Sequence, residues 1–190
     1  KNGKYFYNDK KHSFVINSNL LGDFMYENAC LSIKVAIDEG IPLSTIKKSL
    51  RKVKMPGRMM KIKSGKLRRG LPKSALVYAD GAHNSLSSKC VCNALLDQYK
   101  NKNLYAIISM ISSKDPSSFL KPFKSFKKIF FVNMKQDNVY SKERLKVISK
   151  KLNIPSAISK NYYEAIKTVP DKKNAIFLIT GSFYYLQEVI

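Results

Sequence analysis

Two short β-rich runs open the chain, Lys4–Tyr7 and Ser13–Ile16, on either side of the polar stretch "NDKKH". That pattern predicts a hairpin. The spacing then changes. In "YENACLSIKVAIDEG" (26–40), Ala29, Ile33, Ala36 and Ile37 recur at helical intervals, and Gly40 supplies a stop. "PLSTIKKSLRKV" (42–53) reads as a second helix with Pro42 near its start. Pro56-Gly57 is a strong breaker, and a domain boundary is expected there.

Beyond the break, strand and helix patterns alternate. Strands are expected at Met59–Lys63, Ala75–Ala79, Leu104–Met110, Lys128–Asn133 and Ala175–Thr180. Helices are expected at 85–99, Pro116–Phe123, Ser141–Leu152, Tyr162–Val169 and Phe183–Ile190, with a polar loop over 64–74. Such alternation predicts an α/β fold: a Rossmann-like, mainly parallel sheet with helices on both faces. In sheets of this kind ligands bind outside the carboxyl ends of the strands.

The 190 residues suffice for one large domain or slightly more, and 44% hydrophobic content suffices for a packed core. No apolar run approaches a membrane span, and the first residues carry no signal-peptide pattern. Residue 1 is not Met, so the chain is expected to be a piece of a longer protein. Three cysteines without a secretion signal point to free thiols in a reducing cytoplasm. Cys90 and Cys92 lie too close together for a zinc knuckle and read as small helix residues.

The formal net charge of +22 raises the possibility of a non-catalytic basic nucleic-acid-binding domain. Only five basic residues are arginines, however, and the 30 lysines run along the whole length. Specific base and phosphate readout favours the arginine fork, so no specific nucleic acid is expected as partner. Weak, salt-sensitive adhesion to polyanions is still expected.

Chemistry concentrates at the strand ends. The Ala75–Ala79 strand runs into Asp80-Gly81-Ala82-His83-Asn84. Asp80 suits either two ribose hydroxyls or the cap of the next helix. His83 can contact phosphate, move a proton or make a plain structural hydrogen bond, and Asn84 is an N-cap candidate. The Leu104 strand ends in "SMISSKD", where Lys114 can hold a carboxylate, and the Ala175 strand ends in Gly181-Ser182, an anion site or an ordinary cap. Arg58 follows the break and can reach into a cleft between domains. No G-x-x-x-x-G-K-[ST], G-x-G-x-x-G, H-E-x-x-H or G-x-S-x-G occurs, and two histidines exclude a histidine-rich metal site.

Several segments together resemble one family. "MPGRM", "VYADGAHNS", "ISMISSKD" and the terminal "LITGSFYYLQEVI" are similar, in order and spacing, to the carboxyl-terminal part of the folylpolyglutamate synthase/dihydrofolate synthase family, within the Mur ligase superfamily. "LLGDFMYENACLSI" resembles the end of that family's central ATPase domain, with Phe24-Met25 where the family has His-Gln. Ser85 stands where the family has Pro after D-G-A-H-N.

The resemblance implies residues 1–54 as the end of the ATPase domain, 55–58 as linker and 59–190 as the glutamate-ligase domain. It implies a cytoplasmic, monomeric ATP-dependent amide ligase of folate biosynthesis and one-carbon metabolism. ATP with Mg2+ would phosphorylate a carboxylate of dihydropteroate or of a tetrahydrofolate glutamate tail, and L-glutamate would attack the acyl phosphate. Carried over by position, Asn28 would lie near adenine, Arg58 would reach the phosphates, and Asp80 would hold ribose. His83 would be the catalytic residue near the phosphates, and Lys114 and Ser182 would bind the incoming glutamate. Lacking the phosphate loop and metal ligands, these 190 residues by themselves are not expected to turn over ATP. Another Mur-type amino-acid ligase and a nucleotide-binding regulatory module are the remaining alternatives.

Overall fold

A computed structural model describes residues 4–190, so the first three residues of the expected first domain lie outside the described residues. The chain divides into two compact units, Lys1–Met55 and Pro56–Ile190.

In the first unit, β1 (Phe6–Asn8) and β2 (Ser13–Val15) form the antiparallel hairpin, with Tyr7 opposite Phe14. Its turn is held by Asp9, whose Oδ1 accepts the backbone N–H groups of Lys11 and His12 at 2.8 and 2.7 Å. Helix α1 (Asp23–Asp38) starts three residues before the expected Tyr26 and buries Met25, Ala29 and Ile33 along one stripe. It ends where Gly40 takes a left-handed conformation (φ 74°), as the sequence anticipates. Helix α2 (Leu43–Lys52) is narrowly amphipathic and buries Ile46. Tyr7, Ile16, Ile33 and Ile46 form this unit's core.

The second unit is built on a six-stranded sheet. Its strands are β3 (Met60–Lys61), β4 (Leu76–Ala79), β5 (Asn103–Ile108), β6 (Lys128–Phe131), β7 (Ser156–Ile158) and β8 (Ala175–Thr180). The spatial order is β3-β4-β8-β5-β6-β7, with β3 antiparallel and all the others parallel. The final strand is thus inserted at the centre, and all six of its residues are buried. The helices are α3 (Ser85–Gln98), α4 (Pro116–Leu120), α5 (Lys142–Lys151), α6 (Tyr162–Lys167) and α7 (Phe183–Val189). Phe177 of β8 stacks on Tyr105 of β5 with centroids 5.6 Å apart, and Phe119, Phe123, Phe130 and Phe131 are wholly buried. Burying such rings is the main stabilising contribution.

Three local expectations are corrected. The strand β7 lies where no element is expected between two helices, because its three residues follow Pro155, which reads as a breaker. At a sheet edge a proline costs no ladder bond, and the Pro155 carbonyl accepts from Ile129 N–H at 2.9 Å. The Pro116–Phe123 helix is α-helical only to Leu120 and tightens into a 3-10 turn at Pro122. The Met59–Lys63 strand shortens to two residues.

Lysines scattered along the sequence are gathered by this topology. Parallel strands place every segment that precedes a strand at the same end of the sheet. Lys73, Lys100, Lys102, Lys127, Lys172 and Lys173 lie in those segments, against one acid, Asp171, and Lys124, Lys150 and Lys151 stand at the ends of the helices that lead into them.

Candidate functional site at the carboxyl ends of the strands

The opposite end carries the chemistry. Asp80 ends β4, Ser182 follows β8 and Lys114 follows β5, so three of the expected residues sit at the ends of three adjacent strands. The loop after β4 is tied to its neighbour: Gly181 N–H donates to the Ala82 carbonyl at 3.0 Å, and Thr180 Oγ1 donates to the same carbonyl at 3.3 Å. Gly181 is required here. Its φ is +107°, and a Cβ would stand 2.3 Å from the Ser109 carbonyl oxygen at the end of β5.

Asp80 is 1% exposed. Its Oδ2 accepts Met59 N–H at 2.7 Å and its Oδ1 accepts Ala82 N–H at 2.8 Å. Burial pushes its pKa up, opposed by those two hydrogen bonds and by the nearby Arg58 and His83. The carboxylate therefore bridges the residues after the Pro56-Gly57 break and the loop after β4. Each carboxylate oxygen retains a second lone pair beyond these bonds. The helix-cap alternative for Asp80 is not what the structure shows: Asn84 caps α3, accepting Ser87 N–H at 2.9 Å in a reciprocal capping box.

His83 is half-buried, and its Nδ1 lies 2.9 Å from the Gly81 carbonyl. A carbonyl only accepts, so Nδ1 carries the proton and Nε2 is the nitrogen left to face a ligand. Ser182 is buried and its Oγ accepts Tyr184 N–H at 3.1 Å, the role of a cap. Lys114 is half-buried in a turn closed by its own N–H to the Ile111 carbonyl at 3.4 Å. Asn28 belongs to the first unit, exposed on α1, where its carbonyl accepts Ser32 Oγ at 3.1 Å.

Arg58 is half-buried, and its guanidinium carbon lies 4.6 Å from the centroid of the Phe183 ring. Phe183 was not singled out from the sequence, and neither was Ser109, whose Oγ is buried without a partner at the end of β5. The one signal for Ser109 is a serine closing an otherwise apolar strand. Farther along the rim, a partly open cavity of about 220 Å³ is lined by Lys66, Asn133, Asn161, Tyr185 and Glu188.

The three cysteines are unpaired, and burial pushes the Cys92 thiol pKa up, away from reactive thiolate. Among the described residues no group of three His, Cys, Asp or Glu can hold a metal ion. Among the described residues no helix is long and apolar enough to cross a membrane.

Comparison with known proteins agrees with this architecture. No protein-family profile matches the chain. UDP-N-acetylmuramate–L-alanine ligase of Aquifex aeolicus is 26% identical over 175 residues, covering 88% of this chain and 37% of that protein. UDP-N-acetylmuramyl-tripeptide synthetase of Lacticaseibacillus paracasei is 33% identical over 98 residues, covering 52% of this chain and 18% of that protein. Among solved structures, Escherichia coli FolC in complex with DHPP and ADP superposes with a TM-score of 0.78 at 17% identity, over 100% of this chain and 43% of that one. Folylpolyglutamate synthase of Thermotoga maritima gives 0.77 at 19% identity, over 98% and 42%. The MurC ligase of the same organism gives 0.72 at 15%, over 96% and 39%. The chain thus has the α/β fold found in the folylpolyglutamate synthases and Mur ligases it resembles, and it spans well under half the length of those proteins.

Proposed function

We propose that this chain supplies the carboxyl-terminal part of an ATP-dependent amide ligase that adds L-glutamate to dihydropteroate, to folate polyglutamate tails, or to both. The observation that carries the proposal is the carboxyl-end rim, where Arg58, Asp80, His83, Lys114 and Ser182 come from one break and three adjacent strand ends. The sequence motifs at those positions and the shared fold support the same reading.

In this reading the first unit is the end of an ATPase domain, with Asn28 near adenine. Arg58 meets the transferring phosphoryl group, where a fixed cation stabilises developing charge. His83 Nε2 faces the phosphates. Lys114 pairs with a glutamate carboxylate as a point charge, and Ser182 lies beside it. Asp80 holds the backbone beside Arg58 and meets ribose when the site opens. ADP- and Mn-containing structures of similar proteins support nucleotide and metal use. The described residues do not form a magnesium site, so no step is assigned to a metal held by this chain.

A second reading, a Mur-type ligase joining a different amino acid to a different acceptor, is favoured by the two sequence relatives named above. The test uses the natural polypeptide as the cell makes it. ADP formation is followed with ATP and Mg2+, pairing L-glutamate with dihydropteroate or tetrahydrofolate, and L-alanine with UDP-N-acetylmuramate. ADP release that requires glutamate and a pterin supports the first reading. Release only with the muramate pair replaces it with the second, and release with neither removes both.

A further inference from the structure

Three residues converge on one aromatic ring. A Cβ on Gly57 would meet Phe183 Cε1 at 2.6 Å, and a Cβ on Gly81 would meet Phe183 Cε2 and Cζ at 2.5 Å. The ring therefore lies against the bare backbone of both glycines. Those glycines are themselves joined, Gly81 N–H donating to the Gly57 carbonyl at 2.8 Å. Between the glycine and the next anchor, the chain bends through two left-handed residues, Gly57 (φ 69°) and Met59 (φ 42°). Met59 N–H is caught by the buried Asp80 carboxylate at 2.7 Å. Arg58 sits between these two fixed points, with its guanidinium over the same ring.

An arginine side chain on a free loop has many rotamers to lose before it can meet a ligand. Here the backbone on both sides is pinned and an aromatic face holds the head group. Phe183 is 38% exposed, unusual for a large ring that so many short approaches surround. The ring carries the Arg58 guanidinium at the rim rather than filling the core.

We propose that Phe183 is a positioning residue: wedged on Gly57 and Gly81, its ring holds the Arg58 guanidinium ready for a nucleoside triphosphate. The inference rests on the phosphate-binding reading of Arg58 given above. It accounts for both glycines by packing, since any side chain at either position would displace the ring. It also makes Asp80 part of the same device, through Met59.

The test has two readouts. In the 15N-labelled chain, the Arg58 side-chain N–H resonance is expected to show an aromatic ring-current shift. Phe183→Leu should abolish that shift and Phe183→Tyr should keep it. In the natural polypeptide, binding of a non-hydrolysable ATP analogue is expected to weaken about five- to tenfold in Phe183→Leu and to stay within twofold of wild type in Phe183→Tyr, the loss of one cation–π contact. Gly81→Ala, which pushes the ring away, should act in the same direction as Phe183→Leu. If Arg58→Ala weakens binding but Phe183→Leu does not, or if Leu and Tyr variants weaken it equally, the positioning role is overturned while the Arg58 reading stands. If Arg58→Ala leaves nucleotide binding unchanged, the phosphate reading fails and takes this proposal with it.

Discussion

The two ends of the same parallel sheet are built from loops of similar length, yet they differ in almost every property. The segments preceding the parallel strands carry six lysines and one acid. The segments following the five parallel strands carry three lysines (Lys114, Lys135, Lys160) and three aspartates (Asp80, Asp115, Asp137). At the amino end, Gly70 (φ +75°) has open space where a Cβ would point. At the carboxyl end, Gly57, Gly81 and Gly181 each have a neighbour closer than 3 Å to that point. The difference teaches that composition sets a uniform cationic background, while close packing, buried charge and glycine necessity mark one end alone. The lysine-rich end needs only solvation; the other end has a geometry to keep.

The sharpest test of that contrast is a matched pair of glycine substitutions. Gly181→Ala should cost about 3–5 kcal/mol, or prevent folding, because strain at φ +107° adds to a collision with backbone. Gly70→Ala, strained in φ but otherwise unobstructed, should cost about 1 kcal/mol. Urea unfolding of both variants decides it, and equal costs would end the distinction between the two ends.

Next in size is Asp80→Asn. It puts an amide donor against one of two buried N–H groups, Met59 or Ala82, and should destabilise by about 1–3 kcal/mol. Its pH dependence has a definite sign. Burial raises the folded-state pKa of Asp80 above the ordinary 3.8, so its contribution is fully present below that value and is lost as pH rises through the raised one. The stability gap between wild type and Asp80→Asn should therefore narrow with rising pH.

Asp115 sits at the same rim and behaves oppositely. Exposed, it caps α4, accepting Ser117 N–H at 2.9 Å and Ser118 N–H at 3.2 Å. Hydrogen bonds from Ser118 and Ser117 hold its pKa below the ordinary carboxylate value. Its contribution is present above about 4 and is lost as pH falls through the lowered value. Asp115→Ala should cost about 1 kcal/mol or less at neutral pH, with the cost shrinking in acid, by denaturation at a series of pH values.

The smallest effect on stability belongs to the amino end. Replacing Lys100, Lys102, Lys127, Lys150, Lys151 and Lys173 with Gln should change stability by less than about 0.5 kcal/mol per site. It should also lower the salt concentration that elutes the protein from heparin. Unchanged elution would show that the gathered lysines create no field of their own.

Much of the architecture was legible in sequence because it is local. The hairpin, the helix stop at Gly40, the Asn84 cap and the buried β8 each follow from residue type and period within a dozen positions. The rim was legible too, since parallel alternation puts all following loops on one side. The strand after Pro155 was not, because three residues at an edge carry no periodic signal.

By itself, then, the sequence determined the alternating α/β pattern, the break at Pro56-Gly57 and which loops hold acids, glycines and a histidine. Only the tertiary structure decided that the last strand lies at the centre of the sheet, and that lysines far apart in sequence share one end. It alone joined Phe183 to Gly57 and Gly81, and turned Asp80 towards Met59. The physical reason is sequence separation. Propensity and periodicity act over a few residues, whereas a ring packed on two glycines more than 100 positions away is fixed only when the whole sheet has formed.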